Sequence, residues 1–269
     1  MIVFYILIII FGLIAGSFIS ALTYRFPRGI SITFGRSFCP HCKKNISWYD
    51  NIPLLSFLFL KGKCRNCKNM ISKRYPLIEF TTVLIFTFLF FLVNNCPTLA
   101  QREIICDLTS IFGKWTLPYL FIISVSLISI FVIDFEERII PDDLVFINFA
   151  LILIVLILSS KESLFINMGV AFAASLFFLM LHLITAGRGM GLGDVKLVLF
   201  GGLFFGWPHT LTWLYLSVLI GALVGIILIF MKKAKFGKQI AFGPFLVISF
   251  FITLIWGKYL HSLLFYFLS

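Results

Sequence analysis

Apolar runs of membrane-spanning length constrain this chain more than any other feature. Leu117 to Ile133 is almost wholly apolar, and similar runs lie near 1–22, 77–93, 143–158, 164–185, 195–206, 211–231 and 242–257. About twenty apolar residues cross a bilayer. Lipid offers no partner for backbone polar groups, so such runs fold as helices. None shows the apolar–polar alternation of a barrel strand. With 61% hydrophobic and 12% charged residues, and a mean hydropathy of +1.08, the composition excludes a soluble globular domain. The expectation is an all-α polytopic membrane protein with about eight transmembrane helices. The run near 195–206 is short and Gly-rich, and seven is the count without it. The opening run lacks the basic start of a signal peptide and has the length of a full span, so it reads as a helix.

The net charge of +11 lies in the connecting segments. Residues 23–75 carry eleven Lys/Arg against one acid, Asp50, and the segment 232–240 carries Lys232, Lys233, Lys235 and Lys238. Basic loops mark the cytoplasmic side. Eight spans with the N-terminus outside place both segments inside. They leave 94–116 outside, where Arg102 and Lys114 balance Glu103 and Asp107. The charge therefore reads as topology and as attraction to anionic membrane lipids, and no nucleic-acid partner is expected.

Three parts follow: a first transmembrane helix (1–22), a small cysteine-rich cytoplasmic domain (23–76) and a transmembrane domain (77–269). The cytoplasmic part holds Cys39-Pro40-His41-Cys42 and Cys64-Arg65-Asn66-Cys67, two C-x-x-C pairs separated by twenty-one residues. A piece of about fifty residues is near the size that needs a metal or disulfides to hold together. The spacing suits a structural Cys-four zinc site. Two disulfides or idle reduced thiols are the alternatives, and His41 reads as a bystander. Cys96 and Cys106, in the outside segment, are free to pair or not.

Two acids stand out against this background. Asp134 ends the run Leu117–Ile133, and Asp194 in Gly191-Leu192-Gly193-Asp194 starts another. Carboxylates at membrane depth are costly and mark functional sites. The topology delivers both to one face, because the hairpin of spans four and five returns the chain to the side where span three ends. Each acid also has a plain structural reading. Asp134 is then an acid just emerged into water, and Asp194 an N-cap. Asp142 and Asp143, after Pro141, suit the positive end of a helix, and Glu136 and Glu137 read as solvated. His182, His209 and His261 read as packing residues, and Gly201, Gly202 and Gly206 as sites of close helix approach.

The residues resemble a known family. Gly191-x-Gly193-Asp194 with an earlier membrane-embedded Asp is similar to the GxGD membrane aspartic proteases. Gly16-Ser17-Phe18, Tyr24-Arg25-Phe26-Pro27, the cysteine pairs flanking Trp48-Tyr49-Asp50-Asn51-Ile52-Pro53-Leu54-Leu55-Ser56, and Arg74-Tyr75-Pro76-Leu77-Ile78-Glu79 resemble the type 4 prepilin leader peptidases (peptidase family A24). Ser20 departs from that pattern, where Asn is expected.

The resemblance implies an aspartic endopeptidase of the bacterial inner membrane. It would cut the basic leader from type IV prepilins and pseudopilins at the cytoplasmic face. It also implies a possible N-methyltransferase activity using S-adenosylmethionine, for which the sequence holds no Gly-rich nucleotide fingerprint. Asp134 and Asp194 would be catalytic. Independently of the resemblance, Gly187, Gly189, Gly191 and Gly193 alternate through the turn between spans five and six. They read as letting an extended substrate backbone approach Asp194 closely, with a merely flexible turn as the alternative. Gly191, Gly193 and Lys196 are the expected substrate contacts. Cys39, Cys42, Cys64 and Cys67 would hold zinc. The helix dipole disfavours negative charge on Asp134 and favours it on Asp194, so Asp194 is expected ionised and Asp134 protonated. The competing readings are a proton-coupled transporter, a non-enzymatic assembly scaffold and a presenilin-like protease.

Overall fold

The computed structural model describes residues 2–268 except 33–34, 97–103, 160, 188 and 233–240. Lys233, Lys235, Lys238, Arg102 and Glu103, used above for topology, lie outside the described residues. Ten α-helices run in order: α1 (Ile2–Arg25), α2 (Leu55–Phe59), α3 (Arg74–Asn95), α4 (Ile104–Phe112), α5 (Thr116–Glu137), α6 (Asp142–Ser159), α7 (Lys161–Ile184), α8 (Leu192–Phe205), α9 (His209–Phe230) and α10 (Gly243–Leu268). The only extended pairing among the described residues is two isolated bridges, Phe38 with Asn45 and Lys63 with Met70.

Every expected span holds a helix, and six helical segments are long and apolar enough to cross a membrane: 2–28, 74–95, 104–137, 163–184, 209–230 and 243–264. The chain is a multi-pass membrane protein. The two expected spans outside this set are α6, an apolar helix of 18 residues, and α8, whose shortness has a physical reason. Its 14 residues extend about 21 Å at 1.5 Å per residue, less than the hydrocarbon thickness. Ten of them, Asp194 to Phe205 apart from Lys196 and Leu199, are buried. Its neighbours are α6, α7, α9 and α10, so α8 is wrapped by protein and has no need to match the bilayer. By contrast α7 and α9 expose most of their apolar surface, as lipid-facing helices do. A helix also forms where only a loop was expected: α4 buries Ile104, Ile105 and Leu108 against α10.

The chain divides into two compact units: residues 1–94 with 117–129, and residues 95–116 with 130–269. In the first, α1 and α3 approach backbone to backbone, since a Cβ on Gly16 would lie 2.6 Å from the Glu79 Cα. Motif residues tie the intervening segment to these helices. The buried Arg25 guanidinium donates to the carbonyls of Ser31 (3.1 Å), Gly35 and Arg36 (both 3.2 Å). Arg74 donates to the Thr23 hydroxyl at 2.7 Å, and Glu79 accepts the Leu54 amide at 2.8 Å.

In the second unit small residues set the packing around α8. A Cβ on Gly202 would lie 2.7 Å from the Ala171 Cα of α7, and one on Gly201 would enter the Trp213 ring of α9. The fully buried Trp213 donates its indole N–H to the Leu246 carbonyl of α10 at 2.9 Å. Cys96 and Cys106 are joined as a disulfide.

Gly202→Ala must push the α7 backbone away, and overpacking of this kind costs about 1–3 kcal/mol. We expect a lowered thermal midpoint in detergent by intrinsic fluorescence, whereas Gly169→Ala, with open space at its Cβ, leaves the midpoint unchanged.

Candidate active site

The site begins with how α5 ends. Arg138 adopts a left-handed conformation (φ 58°) and its N–H caps the Asp134 carbonyl at 3.0 Å. This is a common helix stop, and it leaves Asp134 in the last turn. The residue is only 5% exposed, so it has not emerged into water. Glu136 and Glu137, one turn on, are exposed. Asp134 Oδ2 is buried and has no hydrogen-bond partner among the described residues.

Asp194 arrives from a different helix end. Gly191, extended at φ −81° and ψ 152°, occupies the N-cap position of α8, and Asp194 lies three residues later. The reading of Asp194 as the N-cap itself is therefore corrected: the helix starts at Leu192, ahead of the acid. Asp194 Oδ2 instead reaches back to accept the Gly191 N–H at 3.0 Å. This satisfies one orphan amide of the helix start. The residue is 6% exposed, and its carboxyl lies close enough to Asp134 for the two charges to act on each other.

Three elements enclose the acids. The linker after α5 contributes Ile140, whose Cβ would lie 2.8 Å from a Cβ on Gly193. The start of α10 contributes Gly243, where a Cβ would lie 2.6 Å from Asp134 Oδ2 and 3.2 Å from the Ile140 Cδ1. Gly193 thus packs against Ile140, and Gly191 is exposed beside the Asp194 carboxylate. Lys196 Nζ holds both oxygens of Asp142 at 2.7 and 2.8 Å, linking the first turns of α8 and α6. The turn from α7 is closed by His182 Nδ1, 2.6 Å from the Met190 carbonyl oxygen. Among the glycines of that turn Gly187 has a left-handed φ of 74°, a conformation that favours glycine.

Gly243 is the residue that sequence reasoning missed. Its signal is slight: Gly243-Pro244 opens the last apolar run, a placement that suits any helix start.

The cysteines form a separate cluster in the first unit. The four Sγ atoms of Cys39, Cys42, Cys64 and Cys67 lie within 4.8 Å of one another. Each pair sits in the same tight turn. The Lys43 N–H bonds the Cys39 carbonyl at 2.8 Å, and the Lys68 N–H bonds the Cys64 carbonyl at 3.0 Å. Both lysines adopt φ near 60° (57° and 59°). Four converging thiols fit a tetrahedral soft metal ion, and His41 is not part of the cluster. Arg65, in the second turn, is paired with Asp50 at 2.7 Å.

Comparison with known proteins gives the family. Residues 10–93 match the bacterial peptidase A24 N-terminal domain, and residues 120–226 match the type IV leader peptidase family. A prepilin leader peptidase/N-methyltransferase of Aeromonas hydrophila is 33% identical over 279 residues, covering 93% of this chain and 90% of that protein. Proteins of the same description from Pseudomonas aeruginosa and Bacillus subtilis are each 30% identical across 93% of this chain, and 89% and 94% of their own lengths. No solved structure matches significantly. This chain belongs to the type IV leader peptidase family.

Proposed function

We propose that the chain is an aspartic endopeptidase of the bacterial cytoplasmic membrane that removes the leader from type IV prepilins and pseudopilins. The observation that carries the reading is that two buried carboxyls, from the end of α5 and the start of α8, flank the same Ile140 side chain, which packs on Gly193 next to Asp194 and borders Gly243 beside Asp134.

The chemistry follows from their placement at opposite helix ends. Two close carboxyls resist double ionisation and share a proton. Asp194 already accepts an amide N–H and lies at a helix start, both of which favour its anion. Asp134 lies at a helix end, where the dipole favours the acid. Asp194 then draws a proton from a water molecule as the water oxygen attacks the scissile carbonyl carbon. Asp134 donates its proton to the carbonyl oxygen. The C–N bond of the resulting tetrahedral adduct breaks as the amine takes the proton held by Asp194. Asp134 takes back a proton from an adduct hydroxyl, which restores both acids without a covalent enzyme intermediate. Gly191, Gly193 and Lys196 border this position and are proposed to contact the substrate. For Lys196 this accompanies its pairing with Asp142.

The same reading sets the N-terminus outside and the acids at the cytoplasmic face. The basic segment 23–75 supports that orientation. So does the Cys96–Cys106 disulfide, since such bonds persist in oxidising compartments. Cys39, Cys42, Cys64 and Cys67 are proposed to bind a structural zinc, whose full complement of thiolates leaves no open catalytic position. Methylation of the new N-terminus from S-adenosylmethionine is proposed from the names of the relatives.

Incubation of the purified protein with a prepilin in detergent, followed by gel shift and product mass, tests the reading. We expect Asp134→Asn and Asp194→Asn each to lower cleavage by about 10³-fold or more, with the double variant little worse than either. Substantial cleavage by the double variant would refute it.

Gly243→Ala forces a methyl group against Asp134 and is expected to lower kcat while the thermal midpoint holds. Cleavage at the native rate would remove Gly243 from the site. Elemental analysis is expected to find about one zinc per chain, lost on Cys39→Ser or Cys64→Ser.

A further inference from the structure

Among the described residues of 26–73, eight large apolar side chains are exposed, and six of these fall within twelve positions: Trp48, Tyr49, Ile52, Leu55, Leu58 and Phe59. Phe59 is 84% exposed and Trp48 76%. Patches of this kind on a small domain mark a contact surface. A hydrogen bond fixes where the patch lies along the membrane normal. The Leu54 amide, at the start of α2, donates to Glu79 Oε2 at 2.8 Å. Glu79 is five residues into α3, about 7.5 Å along a helix axis, and helical side chains lean back toward the N-terminus. The beginning of α2 is thereby held about one turn inside the end of a membrane span. Leu77 and Phe80, in the first turns of α3, are themselves exposed, an apolar surface at that level that suits lipid.

The charges choose the occupant. Lys61, Lys63, Lys68 and Lys73 follow the patch directly, and all are exposed. They would repel the basic leader of the proposed substrate and attract anionic headgroups. Trp and Tyr at the edge of the patch suit the headgroup level.

We propose that residues 48–60 are an interfacial membrane anchor. The short helix α2 lies at the boundary of headgroups and acyl chains, with Leu55, Leu58 and Phe59 among the chains, Trp48 at the carbonyl level between chains and headgroups, and the following lysines on lipid phosphates. Anchors of this type bury their apolar face about 5–10 Å below the headgroups. The Glu79–Leu54 bond then holds the cysteine turns against the membrane surface.

The full chain, reconstituted in vesicles of phosphatidylethanolamine and phosphatidylglycerol, tests this without reference to catalysis. Subtracting the emission of Trp48→Phe from that of the parent isolates Trp48 from the other four tryptophans. The expected result is that lipids brominated near the carbonyl end of their acyl chains quench most of this difference emission, while aqueous iodide quenches little. Replacing Leu58 and Phe59 together by Asp is expected to reverse that order. Trp48 emission quenched by iodide and untouched by brominated lipid would overturn the proposal. So would iodide access that closes only when a prepilin is added, which would make the patch a substrate-docking surface.

Discussion

The cost of removing a carboxyl from water governs the second unit of this protein. An acid buried at the end of a lipid-embedded helix is tolerated only where protein groups replace its hydration. Asp194 receives a backbone amide from its own helix start. Asp134 lies against the α10 backbone at Gly243 and beside the Ile140 linker. Two buried carboxyls so placed are costly to stability, which is the usual mark of a site kept for function.

Holding such a pair needs a rigid frame, and α8 is its centre. Small residues let α7 and α9 close on it at Gly202 and Gly201. The aromatic cluster of Phe200, Phe204, Phe205, Trp213 and Phe250 fills the space beside it. A short helix surrounded by longer ones has its depth set by protein packing, not by bilayer thickness. The Lys196–Asp142 pair links the first turns of α8 and α6 on the exposed side. Exposed pairs contribute little energy, so its value is in register.

The first unit uses the same economy of polar groups. Arg25 gathers the carbonyls of Ser31, Gly35 and Arg36, and Glu79 takes an amide from Leu54, the positive-φ residue just before α2. Buried polar groups of this kind specify one geometry because each is costly to leave unpaired. The paired cysteine turns add a further constraint, since four Sγ atoms within 4.8 Å are the geometry that a metal ion selects.

The sequence by itself determined the helical membrane class, the approximate span positions and the two candidate acids. Those follow from local quantities: the length of apolar runs, and the rarity of charge within them. It also carried the family motifs, whose residues turn out to form the Arg25, Arg74 and Glu79 contacts. Only the tertiary structure decided that α8 is a wrapped, undersized helix, because burial by neighbours leaves the same apolar composition as exposure to lipid. The pairing of Cys96 with Cys106, open in the sequence, required their separation in space. Gly243 became part of the site only through approach across more than a hundred residues of chain to Asp134. A glycine followed by proline at a helix start looks the same wherever that helix docks, and contact between distant backbone segments leaves no periodicity to read.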